Sequence, residues 1–321
     1  MARRRKGDPI HGWVIVDKPA GIGSTPVVGR VRRIYGAAKA GHAGTLDPLA
    51  TGVLPVALGE ATKTVSFVMD GTKSYRFTLR WGERRDTDDA EGRVVEESAA
   101  RPEPAAVRAA LERFLGEIEQ VPPRYSAVKV AGERAYDLAR DEVEFDLKPR
   151  QVWVERLELV DVPDRDRVVI EVDCGKGFYV RGLARDLAAS LGCLGHVEAL
   201  RRLRVGPFGE ELAISLSELE QFGHSAARFE HLVPVKTALD DIPALALTDT
   251  EADRLRNGQS VQVLRAVDLN SVQELVDGDY VCALRGDTPI AIARLDRGTD
   301  APAMGRFRPV TQIHPVRVLN L

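Results

Sequence analysis

The chain has 321 residues, 44% of them hydrophobic and 29% charged, with 45 Lys and Arg against 48 Asp and Glu for a net charge of −3. Such a chain is globular and long enough for two domains; it lacks the roughly 18-residue apolar run of a membrane helix, and its charge argues against indiscriminate nucleic-acid binding. The basic start Met1-Ala2-Arg3-Arg4-Arg5-Lys6 has no apolar stretch of a secretory signal, and Cys174, Cys193 and Cys282 form neither a C-x-x-C pair nor an even set, so a cytoplasmic chain without disulfides or a cysteine zinc site is expected.

In chain order, residues 1–9 are expected to be a disordered basic tail, and Trp13-Val14-Ile15-Val16 a short buried strand. Ser24 or Thr25 then caps a helix with Pro26 in its first turn and Val27, Val28, Val31 and Ile34 on its apolar face. A Gly- and Pro-punctuated loop spans Gly41 to Pro55, and Ser74 to Trp81 alternates like a half-buried strand. The spacing of Val107, Ala110, Leu111, Phe114, Leu115 and Ile118 predicts an amphipathic helix. Strands are expected over 152–160 and 168–174, then a turn at Gly175-Lys176-Gly177 and a helix carrying Val180, Leu183, Ala184, Leu187, Ala188 and Leu191. A boundary is expected between Val233 and Pro243. Beyond it come a capping box at Thr248 and Glu251, a helix end at Asn257-Gly258, and a strand pair around the turn at 285–288. Elements mix without regular βαβ alternation, so an α+β fold is expected, with one domain over 10–238 and a β-rich one over 245–321.

Charge is distributed unevenly. Residues 11–80 hold nine basic and four acidic side chains, whereas 83–119 hold six basic and eleven acidic ones, and a basic cluster returns at Arg201-Arg202-Leu203-Arg204. One polyanion-facing side fits this pattern, as do solvated faces that balance by chance.

Stock motifs are absent. There is no P-loop, no dinucleotide-binding glycine pattern, no H-E-x-x-H and no nucleophile elbow, and Cys193-x-x-His196 is a weak metal pair. Chemistry without a cofactor must then run on carboxylate, tyrosine and arginine. The segment Gly41-His42-Ala43-Gly44-Thr45-Leu46-Asp47-Pro48-Leu49-Ala50-Thr51-Gly52-Val53-Leu54-Pro55 surrounds one acid with three glycines and two prolines. Taken alone, Asp47-Pro48 reads first as an Asx-turn in which the carboxylate bonds its own backbone.

The length of the segment changes that weighing. It resembles the catalytic motif G-H-x-G-T-L-D-P-x-A-x-G-V-L-P of the TruB family of tRNA pseudouridine synthases. Further matches follow in the family's order: Lys18 to Ser24 with K-P-x-G-x-T-S, Gly71 to Tyr75, Pro122 to Lys129 with P-P-x-Y-S-A-x-K, Gly177 to Arg181, and Leu200 to Leu203. One departure is Gly23, where the family has Thr.

The resemblance covers about residues 12–205. It implies the pseudouridine synthase fold, a mixed and mainly antiparallel sheet flanked by helices, with a small C-terminal PUA-like domain that binds RNA. It implies isomerisation of the T-loop uridine of tRNA, position 55 in standard tRNA numbering, by base flipping, without metal or other cofactor. On this reading Asp47 is the catalytic aspartate and Arg181 its partner, a guanidinium that favours the ionised carboxylate. Tyr75 and Tyr179 are pocket tyrosines, Leu200 an apolar pocket wall, and His42 the residue that enters the RNA loop. Aromatic stacking would recover part of the cost of extruding the base. Arg30, Arg32, Arg33, Lys63, Lys73, Arg201, Arg202 and Arg204 are candidate phosphate contacts. A tRNA T-arm is the expected partner of a monomer that needs no other protein. The alternatives are an RNA-guided rRNA synthase subunit and a non-enzymatic tRNA-binding or folding protein.

Overall fold

In the computed structural model, which describes residues 7–130, 132–141, 143–263, 273–299 and 309–321, a mixed ten-stranded sheet organises most of the chain. Eight of its strands are β1 (Gly12–Lys18), β2 (Thr51–Leu58), β3 (Lys73–Trp81), β4 (Gly116–Gln120), β5 (Arg150–Asp164), β6 (Arg167–Cys174), β7 (Gly195–Val205) and β8 (Ile214–Ser215). Across the sheet they run β8-β1-β2-β7-β3-β6-β5-β4. The β1–β8 and β2–β7 pairs are parallel, and the other neighbours along this path are antiparallel. Helices α1 (Ser24–Tyr35), α2 (Pro104–Leu111) and α3 (Val180–Ser190) flank it.

Alternation explains the layering. Val168, Ile170, Val172 and Cys174 on β6 turn to one face and pack with Leu183, Ala184, Leu187 and Ala188 of α3 in one buried cluster. Each large aliphatic side chain buried there contributes about 1.5–3 kcal/mol relative to exposure.

Three expectations change in detail. The apolar spacing over 107–118 belongs to two elements. Helix α2 ends at Leu111, a 3-10 turn follows, Gly116 takes φ +78°, and Ile118 pairs with Val152 as strand. The backbone leaves helical conformation at Leu115 (φ −90°, ψ 153°), just before the Gly116 turn, where periodicity alone would continue the helix. Neither Ser24 nor Thr25 caps α1: Gly23 is the N-cap, and the Ser24 hydroxyl bonds Leu46 instead. The expected loop over 41–55 is partly sheet, because Ala40–His42 and β2 pair antiparallel.

The C-terminal unit is a five-stranded sheet of β9 (Ala244–Ala246), β10 (Val261–Gln262), β11 (Tyr280–Arg285), β12 (Thr288–Thr299) and β13 (Pro309–Val318), in the order β9-β11-β12-β13-β10. Helix α4 (Asp249–Arg256) starts at the expected Thr248–Glu251 capping box. This sheet is docked on the larger one: Cys282, Leu284, Ile292 and Leu319 share a buried cluster with Trp13, Ile15, Val68 and Phe208. Phe67 meets Tyr280 edge to face at 5.2 Å, and Lys63 Nζ donates to the Val318 carbonyl at 2.7 Å. The segment between the units is itself buried at Val235, Ala238 and Leu239. Residues 1–6 of the expected tail lie outside the described residues, whereas Asp8 exchanges backbone hydrogen bonds with Gly36 and Ala38. No helix among the described residues is long and apolar enough to cross a membrane.

Candidate active site

The loop that carries Asp47 is held from behind by the chain leaving β1. Lys18 is fully buried, and its ammonium donates to the carbonyls of Pro19 (2.9 Å), Ile22 (2.7 Å) and Pro48 (3.3 Å). The Gly21 N–H also donates to the Pro48 carbonyl, at 2.8 Å. Ser24 Oγ donates to the Leu46 carbonyl at 3.1 Å and accepts from the Leu46 N–H at 2.8 Å, using both capacities of a hydroxyl. Residues 46 and 48 are therefore clasped on either side of Asp47. Burial pulls the Lys18 pKa down to about 8, against the opposing attraction of Asp47.

The Asp47 carboxylate does not close an Asx-turn. Its Oδ2 lies 2.8 Å from Arg181 Nη2. Arg181 sits in the first turn of α3, whose entry is fixed by the buried amide of Gln120: Nε2 donates to the Tyr179 carbonyl at 3.0 Å, and Oε1 accepts from the Tyr179 N–H at 2.8 Å. The Arg181 side chain is 7% exposed, donates to the carbonyls of Thr87 (3.0 Å) and Tyr125 (2.9 Å), and reaches a second carboxylate, Asp89 Oδ2, at 3.5 Å. It is thus a buried bridge between two acids rather than a surface arginine on a helix.

Both residues open on a cleft of about 590 Å³, lined also by Tyr75 of β3, Tyr179, Phe178 and Leu200 of β7. Five expected site residues therefore converge: Asp47, Tyr75, Tyr179, Arg181 and Leu200. His42 is not part of that lining. It pairs with Val56 at the edge of β2, and burial, with Arg202 second, lowers its pKa, so the ring is neutral at pH 7. Burial raises the pKa of Tyr75 and Tyr179, so both are phenols at neutral pH.

The candidate phosphate contacts differ in their surroundings. Arg202 is 1% exposed and donates to the carbonyls of Val53 (2.8 Å) and Gly44 (3.0 Å). Lys73 is buried against the carbonyls of Met69 and Gly71. Arg201 is paired with Asp17 and Glu210, Arg30 with Glu220, and Lys63 with Glu60. Arg32, Arg33 and Arg204 stay exposed. Among the described residues no three His, Cys, Asp or Glu side chains gather as a metal site.

Sequence reasoning missed Asp89, Lys18 and the burial of Arg202. For Asp89 the only signal was four acids, Asp86, Asp88, Asp89 and Glu91, packed against Gly92. For Arg202 it was strand alternation, which puts Arg202 on the same face as Leu200.

Comparison with known proteins finds relatives along the whole chain. Residues 32–180 match the TruB family pseudouridylate synthase N-terminal domain, and 181–240 match the tRNA pseudouridylate synthase B C-terminal domain. A protein of Rhodospirillum rubrum named tRNA pseudouridine synthase B is 51% identical over 321 residues, 100% of both chains. A Bradyrhizobium diazoefficiens protein of the same name is 59% identical over 263 residues, 80% of this chain and 76% of its own. A chain from the crystal structure of a Cbf5-Nop10-Gar1 complex superposes with a TM-score of 0.73 at 26% identity, covering 96% of this chain and 84% of that one. With half of its residues identical to a relative over its whole length, this chain belongs to the TruB family of pseudouridylate synthases.

Proposed function

We propose that the protein isomerises the T-loop uridine of tRNA to pseudouridine, with Asp47 as the essential carboxylate. The observation that carries this reading is the Asp47–Arg181 pair at 2.8 Å on the wall of a cleft that two tyrosines and Leu200 also line. The reaction breaks the N1–C1′ bond, turns the base while it is held, and joins C5 to C1′. Arg181, shared between Asp47 and Asp89, orients the Asp47 carboxylate. The aromatic faces of Tyr75 and Tyr179 receive the flipped base, whose extrusion costs a few kcal/mol that stacking partly returns. Leu200 supplies the apolar wall, and Tyr75 takes part in handling the C5 proton.

His42 lies on the same hairpin as Asp47 but outside the cleft, a placement that suits a residue reaching into the RNA loop to hold the base out. Residues 10–238 form the catalytic domain, and 245–321 a PUA-like module that extends the RNA-binding surface. The enzyme acts in the cytoplasm as a monomer without a guide RNA, in keeping with full-length identity of about half to a relative named for tRNA.

The test uses the purified full chain and an unmodified tRNA transcript with tritium at uridine C5, without guide RNA. Near-stoichiometric tritium release by wild type and none by Asp47→Asn is expected. Release only when a guide RNA is supplied favours the RNA-guided reading, and tight tRNA binding without release favours an RNA-folding role.

A further inference from the structure

We propose that Arg202 is a positioning residue that holds a positive charge behind the Tyr75 hydroxyl, stabilising the negative charge on the base once its glycosidic bond breaks. The inference rests on the reading of the cleft as a site of uridine isomerisation.

Arg202 on β7 stands directly across from Tyr75 on β3. Its guanidinium is buried, donates to the Val53 and Gly44 carbonyls, and lowers the pKa of the Tyr75 phenol against the opposing effect of burial. Both side chains line the same cleft.

The charge behind that hydroxyl is not neutralised by a carboxylate. No ion pair among the described residues includes Arg202, whereas Arg181 is shared between Asp47 and Asp89. The surroundings register this positive charge: Arg202 lowers the pKa of His42, Lys73 and Lys18, in each case alongside burial. A buried cation with carbonyl partners alone costs free energy, and that cost has a use where an anion forms during the reaction.

Isomerisation forms one. The N1–C1′ bond breaks with its electron pair on the base, whose negative charge spreads over N1, O2 and O4. The deficit at C1′ is filled by the Asp47 carboxylate, or by the C2′–H electrons if that proton passes to Asp47. In both routes the detached base holds the pair until it becomes the new C5–C1′ bond, with the carboxylate leaving C1′ in the first route and returning its proton to C2′ in the second, after which the C5 proton leaves to solvent. A preorganised donor backed by fixed charge acts on such a state as an oxyanion hole does, where losing one donor costs about 100- to 1,000-fold in rate.

The experiment measures single-turnover rates and tRNA affinity for wild type, Arg202→Met, Arg202→Lys, Tyr75→Phe and the Arg202→Met/Tyr75→Phe double variant. Two transcripts are used, one with uridine and one with 5-fluorouridine at the target, whose conversion is read after nuclease digestion by chromatography. On uridine, Arg202→Met should lose at least about 100-fold in rate with affinity within about threefold of wild type, and Arg202→Lys should recover part of the loss. Because fluorine stabilises the detached base by itself, the loss on 5-fluorouridine should shrink at least tenfold. The double variant should be no more than about threefold slower than Tyr75→Phe, since Arg202 acts through that hydroxyl.

Equal losses on both transcripts, or losses that multiply in the double variant, overturn the proposal and leave Arg202 a structural residue. If Arg202→Met does not fold, Arg202→Gln is read against the same two outcomes. A wild type inert on the uridine transcript refutes the proposed function instead, which separates the two failures.

Discussion

A β-carbon on Gly52 would lie 2.2 Å from the Arg202 carbonyl oxygen, so the strand after the Asp47 loop and the strand carrying Arg202 touch backbone to backbone. Gly52 also has φ +97°, which side chains rarely adopt. Two independent penalties therefore fall on Gly52→Ala, and the clash is with backbone that cannot rotate away. The variant should be destabilised by more than about 2 kcal/mol in chemical denaturation. Its folded fraction should also turn over more slowly, because any yielding of β2 drags the Asp47 loop. Stability within about 0.5 kcal/mol of wild type would show that the two strands separate freely.

Asp89 tests whether Arg181 needs both of its acids. Asp89 is 3% exposed, and its Oδ1 accepts from Thr87 Oγ1 at 2.6 Å while Oδ2 faces Arg181. Asp89→Asn keeps the shape and removes the charge. Arg181 then leans on Asp47 alone, which ties that carboxylate more tightly to its partner. The expected result is a single-turnover rate at least tenfold lower, unchanged tRNA affinity, and a stability loss of about 1–3 kcal/mol from the weakened charged hydrogen-bond set. A wild-type rate would remove Asp89 from the site.

The layering of the sheet was legible in the sequence because alternation of Val168 to Cys174 and the 3.6-residue spacing of α3 are local signals. Where α2 stops was not, because Phe114, Leu115 and Ile118 keep helical spacing across Gly116 although the backbone has already turned into strand. Ser24 shows the same limit from the other side: a good N-cap residue was drawn off by Leu46, 22 positions away. Within the site, the long glycine-rich motif fixed Asp47. Arg202 read as one more surface cation because its partners are the carbonyls of Val53 and Gly44, which leave no trace in side-chain identity.

Lys18 makes stability depend on alkaline pH in a direction opposite to that of a salt-bridged lysine. Its folded pKa is lowered to about 8 from 10.5, so between those values the unfolded chain binds the proton more strongly than the folded one. Stability attributable to Lys18 therefore rises with pH across that window, by about 1.4 kcal/mol per unit and about 3 kcal/mol in all. Comparing wild type with Lys18→Met in urea from pH 7 to 10.5 isolates the term. The difference should move toward wild type above pH 8, and a difference flat with pH would mean the ammonium is not desolvated.

The C-terminal sheet is predicted to be part of the folding unit rather than a removable appendage. Ile292 and Leu319 are fully buried in the cluster that also holds Trp13, Ile15 and Phe208, and the Asn320 N–H donates to Glu60 Oε2 at 2.8 Å. A chain ending at Leu239 would uncover that cluster on the face of β1, the strand whose end delivers Lys18 to the Asp47 loop. Losing even two large aliphatic contacts there removes about 3–6 kcal/mol of burial, a large share of a typical domain's stability. The truncated chain should therefore melt at lower temperature, bind a hydrophobic dye, and lose single-turnover activity along with RNA affinity. If residues 240–321 only extended the RNA-binding surface, truncation would weaken affinity while melting temperature and the rate at saturating tRNA stayed at full-length values, and that result would refute the prediction.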